Sequence, residues 1–357
     1  MTAATGRPVV AVVGATATGK SALAMALAAS LPGGGEIVNA DALQVYRGFD
    51  IGTAKPGRAE RQRVPHHLID ILEPAERYSA GDFARRARQA IAGIQERGHW
   101  PIVVGGSGLY LRALLAGISR IGGDGGQAAE VGKPGVPGEP GEPGKAAEPG
   151  APSEPDGAAG RGEQRSVREQ LRQRAEHEGL APLFAELARR DPATAARLPP
   201  GDTQRVLRAL EVALVSGRPL SAWIAEQPFG IQSIAAIRVG LTLARAILYD
   251  RITGRVARMV EAGWTEEVRG LLERGLDADL PAFQAIGYRQ LVHYVRGEWP
   301  LARAIDETVR ATRRFAKRQE TWFRKEPDVT WFSAEDLNRR IPRVLEHVER
   351  GFGEVSA

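Results

Sequence analysis

The sequence contains no cysteine, which removes disulfides, thiolate-bound zinc and cysteine nucleophiles at once and gives no sign of an oxidising compartment. It also lacks long apolar runs: no stretch approaches the roughly 18 consecutive apolar residues that a membrane-spanning helix needs. The short apolar run Val9 to Val13 leads into a glycine loop with no cleavage-site pattern behind it, so it reads as a strand. The expectation is a soluble, cytoplasmic chain with no membrane partner. Without thiolates, any metal must be held by oxygen or imidazole. His66 and His67 have no carboxylate or third histidine at ligand spacing on the same element, and they read as structural.

What is present suits a globular α/β protein. The chain has 357 residues, 43% of them apolar and 25% charged, which bounds the fold at one main domain carrying a smaller insertion. The net charge of +5 becomes informative only where it is clustered. β-Branched runs at Val9 to Val13, Glu36 to Ala40, His67 to Leu72 and Ile102 to Val104 alternate with helical patterns such as Ser21 to Ala29 and Ala80 to Arg97. That alternation implies a parallel sheet covered on both faces.

From Gly122 to Gly162 the composition changes to Gly, Pro, Glu, Lys and Ala, with glycines at every third residue from Gly132 to Gly144. So few collagen-like triplets cannot hold a triple helix, and the segment reads as a disordered or polyproline-like loop. Helical patterns follow at Arg165 to Glu178, Ala181 to Arg190 and Thr203 to Ser216, the last closed by Gly217. A strand at Ala235 to Leu243 returns the chain to the main domain. Helices at Ile247 to Glu261, Glu266 to Arg274 and Ala302 to Arg324, and a short strand at Val329 to Phe332, complete it. The organisation expected is a core from residues 1–117, the Gly/Pro segment at 118–163, a helical insertion at 164–202, and a return to the core at 203–357.

The run Gly14-Ala15-Thr16-Ala17-Thr18-Gly19-Lys20-Ser21 fits G-x-x-x-x-G-K-[ST] and stands between an apolar strand and an alanine-rich helix. In that context its N–H groups and the helix N-terminus cradle a phosphate, Lys20 adds a full charge, and the Ser21 hydroxyl is placed for Mg²⁺. No second acidic motif of a hydrolytic NTPase is evident, Asp70 being the nearest candidate. Asp41 follows the second strand at the crevice end of such a sheet, where it can be a general base or a helix N-cap.

Several motifs in order carry a resemblance: the Gly14 to Ser21 loop, Asp41-Ala42-Leu43-Gln44-Val45-Tyr46, Asp50 to Pro56, Pro65 to Asp70 and Val103 to Tyr110. Gln204-Arg205-Val206-Leu207-Arg208, Ala285 to Gln290 and Lys317-Arg318-Gln319-Glu320-Thr321-Trp322-Phe323-Arg324 continue it. Together they resemble the tRNA dimethylallyltransferase (isopentenyltransferase) family. The pattern departs from that family at Ala15, Thr18 and Ala42, in Pro199-Pro200-Gly201-Asp202, and in the Gly/Pro segment.

The resemblance implies a P-loop, nucleoside-kinase-like parallel sheet flanked by helices, with a helical insertion for the tRNA anticodon stem. Its donor would be dimethylallyl diphosphate and its cation Mg²⁺ on Ser21; nothing in the sequence suggests an obligate dimer, so a monomer is expected. It implies catalytic roles for Asp41, Thr16, Lys20 and Arg255, with Arg245 and Arg251 as competitors for the diphosphate clamp. It implies tRNA contacts from Asp41, Ala42, Leu43, Gln44 and Ser107, and from Gln204, Arg205, Val206, Leu207 and Arg208. Lys317, Arg318, Gln319, Trp322 and Arg324 complete that set, in a stretch where cations and the aromatics Phe315, Trp322 and Phe323 interleave as single-stranded RNA requires. Three other readings share parts of this pattern: a small-molecule P-loop kinase, a prenyltransferase acting on free adenine nucleotides, and a non-catalytic RNA-binding protein.

Overall fold

The structure is a computed structural model and describes residues 7–117, 158–226 and 234–356. Most of the Gly/Pro segment lies outside the described residues. The chain forms two compact units, one comprising Met1–Tyr78, Asp82–Leu115 and Ser233–Ala357, the other Ser79–Gly81 and Ala116–Gln232.

Six strands make the sheet of the first unit: β1 (Val9–Gly14), β2 (Gly35–Asn39), β3 (His66–His67), β4 (Trp100–Val104), β5 (Ala236–Thr242) and β6 (Val329–Ser333). They lie in the order β3-β2-β4-β1-β5-β6, all parallel, with Val10 opposite both Ile102 and Ile237. Every residue of β1, β2 and β4 is buried, as expected of central parallel strands covered on both faces. The sequence suggests a longer third strand, but Leu68 and Asp70 take left-handed φ values of 63° and 54°. That breaks the extended run after two residues, and only Leu72 regains a bridge, to Tyr46.

Early helices are α1 (Lys20–Ser30), α2 (Arg58–Arg63), α3 (Ala80–Glu96) and α4 (Gly108–Leu115). The second unit holds α5 (Ala158–Glu178), α6 (Leu180–Arg190), α7 (Pro192–Ala195), α8 (Thr203–Ser216) and α9 (Leu220–Glu226). The described chain thus becomes helical from Ala158, inside the stretch read as a loop to residue 163. The core of this unit joins Leu171 of α5, Leu183 and Leu187 of α6, and Val206, Ala209 and Leu210 of α8. The apolar stripe of α8 therefore belongs with α5 and α6, and the return to the first unit comes at Ser233, later than the boundary at residue 203 read from the sequence. Asp202 caps α8 by accepting the Arg205 N–H at 3.2 Å, and Gly217 closes it at φ 68°.

The chain then adds α10 (Arg245–Glu261), α11 (Trp264–Glu273), α12 (Tyr288–Val295), α13 (Leu301–Phe323) and α14 (Leu337–Ser356). The helix α14 has no counterpart in the sequence reading, and it carries Pro342 in its second turn, where a proline removes a helix hydrogen bond. It nevertheless buries Val344 and Val348 and packs on α1, β5 and β6.

Of the two histidines of β3, His67 is bound into the scaffold, and His66 also lines the crevice described below. His66 Nδ1 meets the Val64 carbonyl at 2.8 Å, and His67 Nε2 meets buried Glu36 of β2 at 2.7 Å. The Glu36 carboxylate also takes Arg97 Nε and Nη2, each at 2.8 Å, and His99 Nδ1 at 2.7 Å. Among the described residues no helix is long and apolar enough to cross a membrane.

Candidate active site

From β1 the chain crosses β4 to reach β2, whereas the next strand after β4 is β5, on the other side of β1. The connections leaving β1 and β4 therefore diverge, and a crevice opens beyond their carboxyl ends. Thr16, Lys20, Asn39, Asp41, Gly106 and Arg255 are among the residues lining it.

The phosphate loop forms the floor of this crevice. A Cβ on Gly14 would lie 2.6 Å from the Leu241 carbonyl oxygen, so only glycine lets β1 run into the loop beside β5. Ala17 and Gly19 then take φ values of 64° and 94°, which curl the chain back on itself. Thr18, 1% exposed, donates its hydroxyl to the Ala15 carbonyl at 2.8 Å. Ala15 and Thr18 are thus built into the loop frame, while Thr16, Lys20 and Ser21 face the crevice. Lys20 Nζ reaches the same Ala15 carbonyl at 2.7 Å. Burial and then the charge of Arg255 press the Lys20 pKa down to about 7, against the pull of Asp41. Burial likewise lowers Arg255, with Asp41 opposing and Arg258 adding to the shift. These three groups feel one another because they share the crevice. Among the competing arginines, Arg245 is exposed, and Arg251 donates to the Ala334 carbonyl at 3.2 Å. Arg255 is the one of the three that lines the crevice.

Asp41 lines the crevice, and no helix begins at it, so it caps a turn where the sequence allowed a helix N-cap. Its Oδ1 accepts the Leu43 N–H at 2.8 Å, as a turn-capping carboxylate does. Its backbone N–H is held at 3.2 Å by Asn39 Oδ1, and Asn39 Nδ2 donates to the Leu68 carbonyl. Asn39 is a site residue that the sequence reading passed over; the signal was an amide at the end of an otherwise buried apolar strand. Gln44 Nε2 donates to the Thr53 and Ala54 carbonyls and so holds the next loop beside Asp41. Asp70 is engaged by Lys55 at 2.6 Å and Arg61 at 2.7 Å, which makes it an anchor of that loop.

The helix α13 closes one wall. Phe315 and Gln319, one turn apart, both line the crevice. Lys317 and Arg324 are exposed, while Arg318 is half-buried with its guanidinium 5.7 Å from the Phe315 ring centre. The aromatics expected to meet bases divide differently: Phe323 is buried at 1% exposure. Trp322 packs against Gly108 and carries Arg112 over its ring at 4.5 Å. Ser107 stands at the entry to α4, its carbonyl accepting the Leu111 N–H, and Ala42 and Leu43 are half-exposed beside Asp41.

The α8 group also divides. Gln204 and Arg205 are exposed, whereas Val206 is wholly buried and Leu207 packs on the same core. The side chain of Val206 is therefore out of reach of RNA, and that of Leu207 is half-buried against the helical core. Arg208 pairs with buried Glu211 at 2.9 Å, which also holds Arg168.

The chain is similar to known proteins over most of its length. The family model described as IPP transferase matches residues 44–326, and one described as isopentenyl transferase matches residues 7–71. The tRNA dimethylallyltransferase of Geobacter metallireducens is 43% identical over 319 residues, 89% of this chain and 90% of that protein. That of Syntrophobacter fumaroxidans is 43% identical over 338 residues, 95% and 87% of the two chains. The crystal structure of a full-length tRNA isopentenylpyrophosphate transferase from Bacillus halodurans superposes with a TM-score of 0.63 at 35% identity, covering 98% of each chain. With a family model spanning most of its length and relatives this similar, the chain belongs to the IPP transferase family.

Proposed function

We propose that this chain moves the dimethylallyl group of dimethylallyl diphosphate onto N6 of the adenosine 3′-adjacent to the anticodon, in tRNAs that read codons beginning with U. The products are N6-dimethylallyladenosine and diphosphate, and the protein works as a monomer in the cytoplasm. The observation that carries this reading is the meeting of Lys20, Arg255 and Asp41 in one crevice above a phosphate loop. An anionic leaving group needs the two cations, and a weakly nucleophilic amine needs the carboxylate.

In the reaction N6 attacks the allylic carbon, and the bond from that carbon to the bridging oxygen breaks with its electron pair leaving on diphosphate. The N6 proton passes to Asp41, whose Oδ1 is fixed by Leu43, leaving Oδ2 to accept it. Lys20, Arg255 and the loop N–H groups take up the charge developing on diphosphate, and Thr16 orients its oxygens. A Mg²⁺ ion fits the donors present, because Ser21 presents a hydroxyl to the crevice and such an ion takes most of its remaining ligands from phosphate and water. When bound it would neutralise part of the diphosphate charge. Exposed Gln204, Arg205, Lys317 and Arg324 are the tRNA contacts in this reading.

The test is transfer of radiolabel from dimethylallyl diphosphate to unmodified tRNA, with Mg²⁺ and without ATP. Asp41→Asn should lower kcat by about 10² to 10⁴, the worth of a positioned base. Label on AMP but not on tRNA would assign the chain to nucleotide prenylation, and ATP turnover without transfer would make it a kinase.

A further inference from the structure

Gln319 is buried at 5% exposure near the C-terminal end of α13, the helix with the most basic residues, and it points away from solvent. Its Oε1 accepts the Thr16 N–H at 2.8 Å, and its Nε2 donates to the Gly106 carbonyl at 2.8 Å. These partners fix the orientation of the amide, since a backbone N–H must meet oxygen and a carbonyl must meet N–H. Thr16 belongs to the phosphate loop after β1, and Gly106 to the loop after β4, so one side chain ties together the two lips of the crevice. The space for it is made by glycine: a Cβ on Gly106 would stand 2.1 Å from Gln319 Nε2.

We propose that Gln319 is a positioning residue for the prenyl-transfer step, setting Thr16 and the gap between the two loops, and is not itself a contact for tRNA. The inference rests on the function proposed above. Each end of the amide is engaged by backbone, which leaves one Nε2–H and a second lone pair on Oε1 on a side chain only 5% exposed, too little for a base or a phosphate to dock against. Loss of the tie frees a phosphate-loop N–H and a facing carbonyl inside the crevice, and both loops move to find partners. A shift of about 1 Å in a reacting geometry costs roughly 10²-fold in rate. The exposed cations of α13 are untouched by such a change.

Two variants test it. Gln319→Leu removes both hydrogen bonds at similar volume and should lower kcat about 10²-fold, with the KM for tRNA within about threefold of wild type. Gln319→Glu restores the missing donor only when protonated, because a charged carboxylate faces the Gly106 carbonyl. Its kcat relative to wild type, measured at matched pH so that the other pH-dependent steps cancel, should therefore climb as pH falls from 8 to 5.5. Affinity for inorganic diphosphate with Mg²⁺ should follow the same order: wild type, then Gln319→Glu at low pH, then Gln319→Leu. A raised tRNA KM with unchanged kcat would overturn the proposal in favour of an RNA contact. Equal behaviour of the two variants at every pH would reduce Gln319 to a volume filler. If Gln319→Leu does not fold, the Gln319→Glu pH ratio decides alone. If wild type transfers no prenyl group, the proposed function fails and the diphosphate affinities decide the role of Gln319.

Discussion

Lys20 is placed so that its charge depends on its ligand. Buried beside Arg255, its amine has a pKa of about 7, well below the ordinary 10.5. An arriving diphosphate reverses that balance and draws a proton onto the amine. Affinity for inorganic diphosphate should then be full below pH 7 and fall about tenfold per unit as pH rises above it. Calorimetric titration of wild type against Lys20→Met, which cancels the ionisation of diphosphate itself, reads this directly; parallel curves for the two proteins would sink the idea. The same shift opposes folding of the free protein. A lowered folded-state pKa favours the neutral amine, so the cost is absent above pH 10.5, grows as pH falls to 7 and is constant below. Unliganded Lys20→Met should accordingly melt higher than wild type at pH 7, the difference narrowing towards pH 10. At this scale the sequence was a good guide to where Lys20 and Asp41 stand, since a loop motif and a strand end place both in the crevice. It was silent on Asn39 and on the inward course of Gln319, because both act through backbone groups that have no signature in the order of side chains.

Elements meet at Glu36, where β2, β3, the end of α3 and the entry to β4 converge on one carboxylate. Arg97 above all, opposed by burial and helped by His67 and His99, holds the Glu36 pKa down to about 2. Its folded-state pKa lies below the ordinary 4.5, so its stabilisation is present above pH 4.5 and is lost as pH falls towards 2. Glu36→Gln should cost on the order of 1–3 kcal/mol at pH 7, the price of weakening a buried hydrogen-bonded acceptor. Its denaturant midpoint should also lose less than wild type between pH 5 and 3; an acid limb identical to wild type would remove Glu36 from the account. The elements that were legible are those with a period and a boundary signal, as in α8 from Asp202 to Gly217 and β1 against its glycine loop. Those that misled have local backbone choices at odds with their pattern. Left-handed Leu68 and Asp70 cut β3 short, and α14, which carries Pro342 inside it, was not read from the sequence at all. The helix α8 was read as a helix, but a helical pattern does not name its partner, so its place with α5 and α6 emerged only from packing.

Across the whole molecule the excess of basic residues is slight, 48 against 43 acidic, and many arginines are spent on carboxylates, as Arg97 is on Glu36 and Arg208 on Glu211. What matters for an RNA partner is the remainder. Lys317 and Arg324 are exposed on or just beyond α13 and, among the described residues, take part in no ion pair. Each cation that neutralises a phosphate releases condensed counterions, so Lys317→Ala and Arg324→Ala should each weaken tRNA binding and lower the slope of log affinity against log salt by about one. Arg47, equally exposed but paired with Glu73 at 2.6 Å, is the control whose removal should leave the slope unchanged. Neither Lys317 nor Arg324 lines the crevice, so diphosphate affinity should stay at the wild-type value in both variants. A loss of tRNA affinity with an unaltered salt slope would mean that these side chains act on folding or on base contacts, and the surface that meets the phosphate backbone would have to be sought elsewhere on the protein.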